Sequence, residues 1–175
     1  MEFLLFVFLP VVLFYVVYKV IKKRFDYVVN EIINIAFLFY CLVLIYIVWF
    51  FRAHVLFEDI QVNLIPFYSI FSYIYEAYLG VVSIKNVVFN VLGNIVLTFP
   101  IGLYLYFNRN TCGQMVIMSF IIPIIIECGQ LFLHVIGFTT RSVDVDDIIL
   151  NSTGIILGYL VAKRFLKVKK SKFIN

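Results

Sequence analysis

The stretch MVIMSFIIPIIIECGQLFLHVIGF, Met115 to Phe138, decides the fold. A helix rises about 1.5 Å per residue, so roughly 20 apolar residues cross the 30 Å or so of hydrocarbon in a bilayer. This run has that length and that character. Its main polar exceptions, Glu127, Gln130 and His134, follow one another by steps of three and four, which confines them to one helical face. Burying a charged side chain at the centre of a bilayer costs about 2.5 to 3.5 kcal/mol on insertion scales. Glu127 stands eleven residues from the end of its run, about 16 Å in, too deep for a short side chain to reach the interface. It must be protonated or paired with a donor, and Arg141 is the one cation in the loop that follows.

Working outward, four further blocks have the same character, giving expected crossings over Phe3 to Ile21, Asn30 to Phe51, Asn86 to Phe107, Met115 to Phe138, and Ile148 to Leu166. Hydrophobic residues make up 64% of the 175, and charged residues 14%, which excludes an ordinary soluble domain. The expected fold is all-α: a polytopic membrane helical bundle forming one domain over residues 1–175, with about five transmembrane helices and one extracytoplasmic amphipathic segment. The first block has Glu2 where a secretory leader carries basic residues, and Lys19, Lys22, Lys23 and Arg24 follow it, so it reads as a retained anchor.

Eleven of the fourteen Lys and Arg residues fall after the first crossing, between the third and fourth, or at the C-terminus. Positive loops stay in the cytoplasm, so the N-terminus is expected outside and the C-terminus inside. The net charge of +4 sits mainly in the juxtamembrane tail, which suits anionic lipid and calls for no nucleic acid. Three cysteines, Cys41, Cys112 and Cys128, form no CxxC pair or histidine cluster and read as packing residues.

The remaining polar residues are ordered. Asn90 and Asn94 lie one turn apart on the third crossing, and Asp144, Asp147 and Asn151 stand at i, i+3 and i+7 at the start of the fifth, with Gly154 and Gly158 continuing that stripe. Each has a structural reading as well. The asparagines suit interhelical hydrogen bonds of about 0.6 kcal/mol each, and one aspartate suits an N-terminal cap. His134 suits an interface and the glycines suit helix contact. In the linker, Asn63-Leu-Ile-Pro-Phe67 precedes Tyr68, Phe71, Tyr75 and Tyr78, spaced three, four and three. That spacing predicts an amphipathic helix lying flat at the outer interface, with Glu76 toward water.

Taken in order, Asn63-Leu-Ile-Pro-Phe67, Asn90-Val-Leu-Gly-Asn94, Phe99-Pro-Ile-Gly102, Glu127-Cys-Gly-Gln130 and Arg141-Ser-Val-Asp144-Val-Asp146-Asp147 with Asn151 and Gly154 resemble the VanZ-like family of bacterial membrane proteins. The resemblance implies the bacterial cytoplasmic membrane, a role in the cell envelope, and lowered susceptibility to the lipoglycopeptide teicoplanin.

Three functions suit these residues. In the first, Asn63, Asn90, Asn94, Gln130, Arg141 and Asn151 bind a membrane lipid or lipid-linked cell-wall precursor, with Arg141 on its phosphate. In the second, an intramembrane enzyme uses Glu127 as general acid or base, while Asp144 and Asp147 hold a divalent cation such as Mg²⁺ or Ca²⁺. In the third, Glu127 carries protons for a lipid transporter, although no internal repeat is visible. Oligomeric state is open.

Overall fold

The structure is a computed structural model describing residues 2–22, 27–50, 62–137 and 143–166, with side chains from residue 7 onward. Arg141, Ser142, His54 and the basic tail beyond Leu166 lie outside the described residues. The chain divides into two compact units, Met1–Ala53 and His54–Asn175.

The first unit is a pair of helices, α1 (Glu2–Lys22) and α2 (Val28–Ile45), with α2 continued by a π-helical turn over Tyr46–Phe50. Phe8 meets Phe39 edge to face at 5.0 Å. A polar knot joins the two helices: Tyr15 donates to Glu31 Oε2 at 2.5 Å, Lys19 pairs with Glu31 Oε1 at 3.0 Å, and Asn34 donates to the Tyr15 hydroxyl at 3.1 Å. Glu31 thus enters an apolar helix with its charge already balanced.

The second unit holds β1 (Val62–Asn63), α3 (Tyr68–Tyr78), α4 (Ile84–Phe107), α5 (Cys112–Val135), β2 (Val143–Asp144) and α6 (Val145–Phe165). Among the described residues, four helices are long and apolar enough to cross a membrane: Val28–Phe50, Ile84–Phe107, Cys112–Val135 and Val145–Phe165. The α1 helix is continuous across the first expected crossing. The molecule is therefore an all-α membrane helical bundle; among the described residues the one sheet is a parallel two-residue pairing of β1 with β2, Val62 opposite Val143 and Asn63 opposite Asp144.

Helix starts follow local chemistry. Ser83 caps α4, Thr111 and Gln114 form a reciprocal capping box on α5, and Asp144 caps α6 by accepting the Asp146 N–H at 2.9 Å.

The core is the seam between α4 and α6, which run parallel. A methyl group on Gly102 would stand 2.0 Å from the Ile155 carbonyl oxygen, on Gly154 2.3 Å from that of Ile95, and on Gly158 2.1 Å from that of Phe99. Three absent side chains let the two backbones touch, and the glycine stripe is used within the chain. Across the seam the wholly buried Thr98 hydroxyl lies 2.8 Å from the Asn151 carbonyl oxygen.

On the other side of α6, the antiparallel α5 is joined through a proline. Pro123 has no N–H for the Ser119 carbonyl four residues earlier, and Ser152 donates to that carbonyl at 2.6 Å instead. The cysteines do not fill the core: Cys112 and Cys128 are exposed and Cys41 is half-buried, all as free thiols.

Candidate functional site

The start of α6 gathers the polar residues of the second unit. Its first turn lies level with Asn94 on α4, through the Asn94–Asp147 hydrogen bond, and with Glu127 on α5, whose Oε2 accepts the Asp144 N–H at 3.2 Å. Asn94 is ten residues into α4, and Glu127 is eight residues before the end of α5. At 1.5 Å per residue the α6 start is recessed by roughly 12 to 15 Å below the ends of its neighbours.

Glu127, 3% exposed, accepts a backbone N–H through Oε2 at the N-terminal end of α6, where the helix dipole also favours a carboxylate. Asp144, Asp146 and Asp147 occupy the same turn. Asn63 closes the arrangement from β1: its Oδ1 accepts the Ile65 N–H at 3.0 Å, and its Nδ2 donates to Asp144 Oδ1 at 3.0 Å and to the Ser69 hydroxyl at 2.9 Å. Asn63 is thus a turn and docking residue with its amide fully engaged.

Asp146 is not among the expected site residues, yet it is the most deeply buried carboxylate among the described residues, 1% exposed. It accepts the backbone N–H of Phe67 and, at 3.1 Å, that of Ile70. Phe67 precedes α3 in a left-handed conformation, φ 67°, uncommon for a residue with a side chain. Asp146 therefore caps α3 from the first turn of α6, and two helix N-termini share one carboxylate. The sequence signal is only a third aspartate in the run Asp144 to Asp147.

The α3 helix adds its own polar face. Ser69, Ile70, Ser72, Tyr73, Glu76 and Ala77 are half-buried, while Tyr68, Phe71, Tyr75 and Tyr78 are exposed. Glu76 accepts from Ser72 at 3.3 Å on the inward-facing side, so the aromatic stripe points outward. Tyr73 lies beside Asn90. Burial, then the negative charges of Asp147, Asp144 and Glu76, raise the Tyr73 phenol above its ordinary value near 10, with Asn90 acting weakly against them. Tyr73, absent from the expected site residues, belongs beside Asn90, Asp144 and Asp147.

Gln130 and Asn151 are buried on the inner faces of α5 and α6, with Gln130 one turn from Glu127. His134 is half-buried, its Nδ1 without a partner among the described residues. Arg141 lies outside the described residues. For a divalent cation, the described residues offer no group of three His, Cys, Asp or Glu side chains placed to hold one. Asp144 Oδ1 is committed to Asn63 and the Asp146 N–H, and Asp147 Oδ1 to Asn94.

Carboxylates, carboxamides and a phenol gathered at a recessed helix start inside a bundle of long apolar helices define an integral membrane protein with a polar cluster at the start of α6. Residues 37–167 match the VanZ/LLP1 family, and the chain belongs to that family. The match begins inside α2 and includes the whole α3 to α6 unit. No curated protein and no solved structure matches the chain.

Proposed function

We propose that the protein binds the headgroup of a membrane lipid or lipid-linked cell-wall precursor in the outer half of the bacterial cytoplasmic membrane, alters the envelope surface, and so lowers susceptibility to lipoglycopeptides such as teicoplanin. The observation that carries this reading is the meeting of Asn94, Glu127, Asn63 and Tyr73, from four separate segments, around the recessed first turn of α6. The carboxylate oxygens and the phenol of that set suit a hydroxyl- or amine-bearing headgroup without exposing it to hydrocarbon. Burial of ionisable side chains within a membrane is costly and marks function by default. Placement of the recess on the outer side rests on the Lys and Arg distribution, and Arg141, three residues before Asp144 in the sequence, is assigned to the phosphate of the ligand. Binding alone accounts for this role, and no bond need be broken.

The experiment compares teicoplanin susceptibility and total lipid extracts of cells expressing the wild type, Tyr73→Phe, Asn90→Ala, Glu127→Gln or no protein, with membrane levels and detergent melting temperatures matched. Protection by the wild type, lost in the variants that remain folded, is expected. Equal susceptibility of all folded variants and the wild type overturns the proposal.

A further inference from the structure

Several observations fix the course of α3. Its N-terminus is held at Asp146 through Phe67 and Ile70, beside Asp147, which bonds Asn94. Three residues after Ile70, Tyr73 lies beside Asn90, a turn nearer the start of α4. Its C-terminal end, Tyr78, connects through a short turn to the α4 cap at Ser83. Going forward along α3 is going backward along α4, so the two form an antiparallel hairpin. The 11 residues of α3 span about 16 Å, nearly the length of the α4 segment above Asn94.

From this geometry we infer that β1 and α3 form a re-entrant element that dips into the membrane to the depth of the α6 start, with Tyr68, Phe71, Tyr75 and Tyr78 against lipid acyl chains and headgroups at graded depth. The flat-lying placement expected from the aromatic spacing gives way to a steep one, because Asp146 pins the far end below the interface.

The occupant of the aromatic face is the bilayer. Tyr68, Phe71, Ile74, Tyr75 and Tyr78 are exposed, as are Val88, Phe89, Leu92 and Val96 on the adjoining length of α4, so the apolar surface continues from one helix to the next. Non-helical backbone survives at membrane depth only where protein groups satisfy it. Much of the backbone from Asn63 to Ile70 is met this way: Asn63 takes the Ile65 N–H, Asp146 takes those of Phe67 and Ile70, and Pro66 has none to satisfy. The inference needs no ligand and stands independently of the proposed function.

Single tryptophans test it. In a Trp49→Phe background, which removes the only native Trp, Tyr68→Trp, Phe71→Trp and Tyr78→Trp are reconstituted into phosphatidylcholine vesicles brominated either near the headgroup or near the chain midpoint. Quenching at position 68 is expected to favour the midpoint bromines and at position 78 the headgroup bromines, with position 71 between. Equal depth at 68 and 78 overturns the re-entrant placement in favour of a flat helix. Absence of quenching at every position overturns lipid contact altogether. Unchanged helical circular dichroism certifies each variant, and if Tyr68→Trp misfolds, positions 71 and 78, two turns apart, still separate a steep helix from a flat one.

Discussion

The Ser152 hydroxyl stands 2.6 Å from the Ser119 carbonyl oxygen, the acceptor that Pro123 leaves without its usual intrahelical donor. The proline and the serine sit on different helices and act as one device, since a kink-prone position on α5 becomes an attachment point for α6. Replacing Ser152 by Ala is expected to cost about 1 kcal/mol of unfolding free energy. In a Pro123→Ala background the new N–H at 123 can take the Ser119 carbonyl, so the cost of Ser152→Ala should shrink toward zero. A double-mutant cycle in mixed micelles measures the coupling, and additive effects would refute it.

Asp146 carries more. Asp146→Ala strands the N–H groups of Phe67 and Ile70 in a buried site, at about 1 to 3 kcal/mol for each, and releases the start of α3. A loss of about 3 kcal/mol is expected, together with new protease cleavage near Pro66 at temperatures where the wild type resists. Unaltered cleavage there would show that α3 is held by other contacts.

The glycines of the α4–α6 seam predict a contrast. Gly154→Ala and Gly158→Ala each drive a methyl group to within 2.3 Å of backbone, so the helices must separate, at about 3 kcal/mol. Gly93→Ala meets nothing within 4 Å and should be neutral or stabilising by up to about 1 kcal/mol through helix propensity. Melting temperatures of the purified variants check the order.

Tyr73 predicts a pH dependence. Its phenol titrates higher in the folded protein than its ordinary value near 10, so the folded state holds the proton more tightly. The resulting stability is fully present below pH 10 and falls away as pH rises toward the folded pKa. Tyr73→Phe cannot titrate and should flatten this part of the stability curve. Denaturant unfolding across the alkaline range, compared between the two proteins, is the measurement.

What the sequence determined by itself is local in origin. Crossing lengths follow from runs of apolar side chains, and a capped start to the last helix follows from aspartates ahead of a helical run, with the choice among them left open. The shared face of Glu127 and Gln130 follows from a 3.6-residue period. The tertiary structure decided which of these faces meet. Asp146 reads in sequence as one more acid in a first turn, because its partners Phe67 and Ile70 lie 79 and 76 residues away. One donor to Glu127 is the backbone N–H of Asp144, 17 residues on, at the cap of α6. Aromatic spacing assigned α3 a stripe and left its tilt open, since a helix inclines according to what holds its two ends, and both holds are made by residues distant in the chain or across a turn. Hydropathy and capping act within a few residues. Pairing across helices depends on how the backbones approach, and here that approach is set by three glycines and one shared carboxylate.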